Sequence, residues 1–398
     1  MTKILFISNG HGEDLNASLI AEALKNLCPH GEISAFPIVG EGMIYRNKHI
    51  EVVAPTKIMP SGGMFYQNSR NLWRDIFSGF IGLTIRQLIT LRYIAKNYDL
   101  VVGVGDVVPI ILAFWAGRPF LMLFVAYTSY YGSNIKLPFP CELLAKSSLC
   151  RGILTKDQFT AEDLQKQGIK QVECYGYPIM DALPLGEVRP STTVKNSATI
   201  AILPGSRIPE AVNNLALLLP VCEKLTEISQ ENYLFRTALV SAFNLDYLKF
   251  ISQNYNYDLI ENNSDYILTK TINDRIINIE LYYHKFSDIL HSCDLVLGMA
   301  GTAIEQAVGL GKPVVQVTGA GPQFTANFAR SQMRYLGTNI KTIFQEQEED
   351  FAMKGAEEIV KSLANKDYLE QCKINGKTRV GGAGASVKIA EKIMAILS

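Results

Sequence analysis

One segment of the sequence combines small residues with an acid in a spacing that suits a nucleotide. Gly301 and Thr302 follow an apolar run, and Glu305 lies in the first turn of the helix-like segment behind them. The glycine lets the backbone approach a phosphate, and the carboxylate can accept hydrogen bonds from two ribose hydroxyls. The same residues also fit a capping box, in which Thr302 caps the N–H of Glu305. The residues alone leave both interpretations open.

A second segment, "AILPGSRIPE" (201–210), places Gly205 and Ser206 between an apolar run and a helix-like segment. Free N–H groups and the helix dipole favour an anion at such a position. Arg207 adds a guanidinium that could hold diphosphate oxygens and offset the charge of a leaving group. The alternative is a tight turn with a solvated arginine, in which Glu210 only favours the first helical turn.

The elements that must position these residues repeat along the chain. A β-type run at 3–8 is followed by the turn "NGHGED" and by apolar residues at helical spacing over 16–27. The same order restarts at 199. The pattern predicts an α/β protein with two Rossmann-like parallel-sheet domains facing a cleft.

A sharper repeat supports this prediction. The segments 98–125 and 293–317 each read Asp-Leu-Val-x-Gly, then a helix, then Gly-Arg/Lys-Pro and an apolar strand. Ligands of such sheets lie beyond the carboxyl ends of the strands. The turns after residues 8, 103, 203 and 298 are therefore expected to line the cleft.

Composition sets further bounds. The chain has 398 residues, of which 48% are hydrophobic, and its formal net charge is zero. This suits two domains and gives no general reason to expect a nucleic-acid partner. Seven cysteines without a CxxC pair and a strand beginning at Lys3 favour the cytoplasm. The apolar window 107–126 contains Pro109 and Gly117 and predicts helix, turn and strand rather than a membrane span.

Several nucleotide and metal motifs are missing. The dinucleotide pattern fails because Leu15 and Val108 occupy the third glycine position in its two candidate turns. Gly376 begins a Gly-Lys-Thr triplet, but Gln371 replaces the first glycine of a phosphate loop. The sequence has no Asp-x-Asp, HExxH or Cys/His cluster, so neither a metal nor another cofactor is expected.

Four segments together resemble a known family. They are "LPGSR" with Glu210, "GTAIEQAVGLGKP", "YGYPIMDAL" (175–183) and "IVGEGMIYR" (38–46). Their order along the chain, which covers nearly its whole length, resembles that of lipid-A-disaccharide synthase. The resemblance to the peptidoglycan N-acetylglucosaminyltransferase and to galactolipid synthases is more distant. The resemblance implies a GT-B glycosyltransferase that is inverting and metal-independent. It would move a sugar from a UDP-sugar to a lipid-linked or glycolipid acceptor.

The resemblance also implies residue roles. Asp106, in "GVGD", looks like the family's catalytic aspartate. Seven residues are expected at the nucleotide sugar: Gly205, Ser206 and Arg207 at the diphosphate, Gly301 and Thr302 beside the phosphates, Glu305 at the ribose, and Gln323 where the family has asparagine.

The sequence departs from the family mainly on the acceptor side. Its first glycine turn, "GHGEDLNAS", assigns Gly10, Gly12 and Glu13 to the acceptor turn, and His11 is closer to the glycine-histidine turn of the more distant relatives. Tyr177 replaces the histidine of the Gly-His-Pro block. Because these departures lie on the acceptor side, the resemblance supports the donor chemistry better than it supports a lipid A precursor as acceptor.

An inverting transfer needs a base for the acceptor hydroxyl. Asp106 and His11 both follow strands of the first domain, and we favour Asp106 slightly. The alternatives are a helix cap for Asp106 and a turn residue for His11. Glu13 or Asp14 would orient His11 or cap a helix starting at Asn16.

The segment 57–96 carries six cations and one acid, interleaved with aromatic residues. This composition suits an anionic membrane interface and a peripheral location on its inner face, although the aromatic residues could instead belong to the core. At the carboxyl terminus, 385–398 is amphipathic. Its predicted apolar stripe consists of Val387, Ala390, Met394 and Leu397.

These observations predict an N-terminal Rossmann-like acceptor domain over 1–183, a linker over 184–198 and a nucleotide-sugar domain over 199–380. The resemblance implies that a last helix in 381–398 packs back on the first domain. Two rival functions stay open. One is an enzyme like the UDP-N-acetylglucosamine 2-epimerases, and the other is a non-catalytic nucleotide-sugar or lipid-binding protein.

Overall fold

A computed structural model describes residues 2–56, 80–132, 136–184, 197–263, 265–319, 321, 324–347 and 350–398. The chain divides into two compact units. The first unit comprises Met1–Ala182 and Gly381–Ser398, and the second comprises Leu183–Val380.

The first unit contains a parallel sheet of seven strands in the order β3-β2-β1-β4-β5-β6-β7. Its central strands are apolar and almost fully buried, as expected for strands that are covered on both faces. In chain order the strands are β1 (Lys3–Ser8), β2 (Glu32–Pro37), β3 (Glu51–Val52), β4 (Leu100–Gly105), β5 (Phe120–Phe124), β6 (Cys150–Thr155) and β7 (Val172–Cys174).

Helices connect these strands. They are α1 (His11–Leu27), α2 (Met43–Asn47), α3 (Phe80–Ile94), α4 (Val107–Trp115), α5 (Cys141–Ala145) and α6 (Gln158–Lys166). The 107–126 window is thus helix, turn and strand, as predicted. No helix in the part of the chain that the structure describes is long and apolar enough to cross a membrane.

The second unit has a mixed sheet of eight strands in the order β10-β11-β12-β9-β8-β13-β14-β15. Six strands are parallel, and β11 runs antiparallel to both β10 and β12. The strands are β8 (Ala198–Leu203), β9 (Tyr233–Leu239), β10 (Asp258–Asn262), β11 (Asp265–Ile272), β12 (Arg275–Tyr283), β13 (Leu295–Gly298), β14 (Val314–Val317) and β15 (Ile340–Ile343).

The antiparallel extension is a feature that the sequence analysis did not predict. Asn273 and Asp274 form the two-residue turn between β11 and β12, and both have positive φ. This is the backbone of a type I′ hairpin, which favours asparagine and aspartate. The extension inserts two strands before β12 pairs in parallel with β9.

Helices of the second unit pack on this sheet, and the last helix of the chain belongs to the first unit. The helices are α7 (Glu210–Ile228), α8 (Leu245–Tyr255), α9 (Phe286–Ser292), α10 (Thr302–Gly309), α11 (Ala326–Leu336), α12 (Phe351–Ala364), α13 (Lys366–Arg379) and α14 (Ala385–Leu397).

Helix α14 packs against α1 within the first unit. The carboxylate of Asp181 accepts hydrogen bonds from the N–H groups of Gly384 and Ser386, at the start of α14. Of the predicted apolar stripe, Ala390 is buried and Met394 and Leu397 are half-buried, but Val387 is 48% exposed, so the prediction was wrong at Val387. The buried positions are instead Ala385, Ser386, Ile389, Ala390 and Ile393.

The predicted internal repeat is confirmed by a matching pair of contacts. Asp99 and Asp294 each precede the strand that pairs with the first strand of their unit. Oδ2 of Asp99 accepts a hydrogen bond from the N–H of Lys3 at 2.9 Å, and Oδ2 of Asp294 accepts one from the N–H of Thr199 at 2.8 Å. The same side chain thus anchors the start of the central strand pair in both sheets.

Candidate functional site

Two loops of the second unit leave neighbouring parallel strands, because Leu203 at the end of β8 pairs with Gly298 at the end of β13. Nδ2 of Asn214 donates to the carbonyl of Pro204 at 2.9 Å and to that of Met299 at 3.3 Å. This buried side chain on α7 therefore fixes both loops at the carboxyl edge, where nucleotides bind to such sheets.

Gly205 closely approaches the neighbouring loop. Its φ is +100°, and a Cβ at this position would be 3.1 Å from the carbonyl oxygen of Met299. Helix α7 begins at Glu210, so Ser206 and Arg207 lie in the preceding loop rather than directly at the helix start. Ser206 is exposed and Arg207 is half-buried.

Glu210 does more than favour the first helical turn. Its side chain is buried, and Oε1 accepts a hydrogen bond from the N–H of Phe324 at 3.1 Å. A Cβ at Gly321 would be 2.3 Å from this oxygen, so the loop after β14 approaches α7 closely. Gln323 lies outside the described residues.

The N-terminus of α10 carries the segment that includes Glu305. Gly301 is the N-cap residue and Thr302 is the first helical residue, with no side chain capping the helix. The N–H groups of Ile304 and Glu305 bond to the carbonyl of Gly301 at 3.0 and 3.3 Å. The capping-box interpretation was therefore wrong, because Gly301 occupies the cap position that Thr302 would need.

Glu305 has a buried oxygen with no hydrogen-bond partner among the described residues. This atom is Oε2, and the side chain as a whole is half-buried. Nε2 of Gln332, on α11, donates to the carbonyls of Ala300 and Gly301 at 3.0 and 3.3 Å and holds the loop in front of it. A buried acceptor without a donor costs free energy, which a bound hydroxyl would recover.

In the first unit, Asp106 caps α4. Its Oδ1 accepts hydrogen bonds from the N–H of Val108 at 3.0 Å and from Nδ2 of Asn9 at 2.8 Å. Oδ2 accepts no hydrogen bond from any residue in the described part of the chain. The helix-cap interpretation of Asp106 is therefore confirmed. Capping uses Oδ1, so Oδ2 can still accept a hydrogen bond or a proton from a ligand.

His11 is the first residue of α1, in the connection that follows β1, and Asp106 follows β4, the parallel neighbour of β1. Helix α1 begins at His11, with Gly10 as N-cap, so the helix start predicted at Asn16 was wrong. His11 is exposed, and Gly12 and Glu13 are half-buried. A Cβ at Gly10 would be 2.5 Å from Oε2 of Glu13, which therefore folds back over the glycine.

Asp14 belongs to a buried network. Oγ of Ser8 donates to Oδ1 of Asp14 at 2.6 Å and lies 2.6 Å from the hydroxyl of Tyr45. Only 2% of Asp14 is exposed. Burial raises the pKa of its carboxyl to about 7, and the charge of Glu13 adds to this effect. Asp14 is not a helix cap, because it lies inside α1.

The Asp14→Asn variant is expected to be more stable than the wild type above pH 7. The folded protein holds the Asp14 proton to about pH 7, whereas an unfolded chain releases it near 3.8, so stability falls as the pH rises between these values. The full effect is roughly 4 kcal/mol. Chemical denaturation at pH 4.5 and pH 8 measures it, and an unchanged difference between variant and wild type at the two pH values would contradict it.

An apolar surface begins beside Asp106. We call it the α3–α4 surface. It contains side chains that are 37 to 74% exposed, namely Ile85, Ile89, Tyr93, Val108, Ile111, Phe114 and Trp115. The two helices are joined by hydrogen bonds from Trp115 to the carbonyl of Leu88 and from Arg92 to that of Trp115. Arg86 and Arg92 are exposed on α3, and residues 57–79 of the basic segment lie outside the described residues.

The fold is that of the GT-B class, with two Rossmann-like units. Calicheamicin glycosyltransferase CalG4 is similar, with a TM-score of 0.62 and 14% identity over 100% of this chain and 98% of that chain. S. aureus MnaA, solved with UDP, has a TM-score of 0.60 and 14% identity over 100% and 97%. The UDP-GlcNAc 2-epimerase of Neisseria meningitidis, bound to UDP-GlcNAc, has a TM-score of 0.55 and 14% identity over 100% of this chain and 99% of that chain. The sequence matches no family model and no curated protein.

Proposed function

We propose that this protein is an inverting, metal-independent glycosyltransferase that uses a UDP-sugar and a lipid-linked or glycolipid acceptor. The observation that carries the proposal is the buried Oε2 of Glu305 at the start of α10, which has no hydrogen-bond partner among the described residues. A ribose supplies hydroxyl donors to such an oxygen, while the N-terminal turn beside it offers N–H groups to phosphate. The nucleotide-bound neighbours are consistent with this donor.

The second unit would hold the donor. Gly301 and Thr302 would lie beside the phosphates, and Gly205, Ser206 and Arg207 would contact the diphosphate. The guanidinium of Arg207 would then stabilise the negative charge on the departing UDP, a role that a metal ion has in other enzymes. Among the described residues, no group of three metal-ligating side chains forms a cation site.

The first unit would supply the base. The acceptor hydroxyl oxygen bonds to the anomeric carbon as the bond from that carbon to UDP breaks, and Oδ2 of Asp106 takes the hydroxyl proton. A single displacement of this kind inverts the anomeric configuration. His11, at the start of α1, is the second candidate for the base.

The α3–α4 surface supports a lipid acceptor. Val108 is 40% exposed only two residues beyond Asp106, so an acyl chain on this surface would keep its head group near the proposed base. Arg86 and Arg92 suit anionic head groups, which favours binding to a membrane surface. An epimerase has no second substrate that would use such a surface.

The epimerase function stays the second candidate because a protein of that name is among the similar structures. The experiment incubates the purified protein with a panel of UDP-sugars in deuterated water, with and without anionic vesicles that carry a bacterial lipid extract. A transferase releases UDP only with the lipid and forms a new glycolipid. Deuterium incorporation into the sugar without lipid would support the epimerase instead, and UDP binding without either reaction would support a non-catalytic protein.

A further inference from the structure

We infer that Asn9 is a positioning residue that aims the free oxygen of Asp106 at the acceptor. This inference rests on the proposed function, in which Asp106 is the base. Asn9 follows directly after β1, and Nδ2 donates to Oδ1 of Asp106 at 2.8 Å across 97 positions of sequence.

The two donors to Asp106 act on the same oxygen. The N–H of Val108 reaches Oδ1 along the helix, and the amide of Asn9 reaches it from the neighbouring strand end. Together they restrict rotation of the carboxylate and leave Oδ2 without a partner among the described residues. Helix capping needs only the Val108 bond, so the second donor is surplus to that role.

The backbone around Asn9 is shaped for this contact. A Cβ on Gly105 would be 2.2 Å from Oδ1 of Asn9, and Gly105 has a φ of +145°. Only glycine therefore lets the amide reach Asp106. The buried Oδ1 of Asn9 has no hydrogen-bond partner in the described part of the chain. The protein thus accepts a cost at this oxygen while the amide nitrogen faces the carboxylate.

The test compares Asn9→Ala and Asn9→Asp with Asn339→Ala in steady-state kinetics, with the UDP-sugar varied at saturating lipid acceptor. Asn339 is a control because its side-chain amide also donates hydrogen bonds, but to the carbonyls of Lys312 and Cys372 in the second unit. We expect both Asn9 variants to lower kcat about ten- to a hundredfold with an unchanged KM for the donor. Asn339→Ala should lower thermal stability and leave kcat within about twofold. If Asn9→Ala does not fold, Asn9→Asp tests the contact instead: it removes the donor and sets a second carboxylate against Asp106, so kcat should fall and its pH profile should shift to higher pH.

A double-mutant cycle separates positioning from a general structural role. In an Asp106→Asn background, Asn9→Ala should change the residual rate less than about twofold, because no carboxylate remains to be oriented. Equal, multiplicative losses in both backgrounds would overturn the inference, as would a wild-type kcat for Asn9→Ala. If Asp106→Asn itself kept wild-type turnover, the proposed base would fail and the inference with it. If only Asp106→Asn lost turnover, the base would stand and the inference alone would fail.

Discussion

Asp106→Asn is expected to lower kcat by about 10²- to 10⁴-fold, the usual contribution of a general base. The asparagine keeps the oxygen that caps α4, so the hydrogen bond from the N–H of Val108 can persist. What is lost is the proton acceptor at Oδ2. The affinity for UDP, measured by calorimetry, should change less than about threefold, because the donor is proposed to bind to the second unit.

Two comparisons sharpen this result. Asp350→Asn is a matched control, since Asp350 caps α12 through the N–H of Met353 in the same way, and its kcat should not change. His11→Ala tests the second candidate, and we expect a smaller loss than for Asp106→Asn. Near-wild-type turnover in both Asp106→Asn and His11→Ala would rule out both bases.

Glu305→Ala should weaken UDP binding about ten- to a hundredfold, the value of one or two hydrogen bonds to a charged group. Glu305→Gln should have a smaller effect in the same direction, because its amide oxygen still accepts one ribose hydroxyl. The ligand-free variants should keep or gain thermal stability, since Oε2 of Glu305 has no partner in the described protein. Calorimetric titration with UDP and thermal unfolding measure the two effects.

Glu370→Gln controls for the loss of a negative charge, because Glu370 is exposed and pairs with Lys373 on the same helix, α13. It should bind UDP like the wild type. If Glu305→Ala unfolds at a lower temperature yet binds UDP normally, then Glu305 has a structural role and the ribose assignment fails.

The sequence predicted the strands that open each unit and the strands of the internal repeat, because buried parallel strands read as continuous apolar runs. Glu305 was proposed as a site residue from its place after a strand and a glycine, and Asp106 from the resemblance to the glycosyltransferase family. The sequence could not predict Asn9, Asn214 or Gln332, because each acts on a loop that is distant in sequence.

The errors also have local causes. Gly10 and Gly301 take the N-cap positions of their helices without a capping side chain, so rules that look for Ser, Thr or Asp misplace both helix starts. Val387 was wrongly placed on the buried face of α14, because this 13-residue helix has apolar residues on more than one side. Packing against α1 determines which side is buried. The hairpin of β11 and β12 was not predicted, although the Asn273-Asp274 pair between two β-rich runs is typical of a hairpin turn.

Asp99 and Asp294 anchor their sheets at the amino ends of β4 and β13, whereas the proposed ligand contacts all lie at the carboxyl ends. Each unit therefore separates, along the direction of its strands, the residues that set strand alignment from those that meet substrates. Loops at one end can diverge under selection for new donors or acceptors while the opposite end preserves the pairing. Substitutions in these loops should therefore leave the hydrogen bonds from Lys3 to Asp99 and from Thr199 to Asp294 in place.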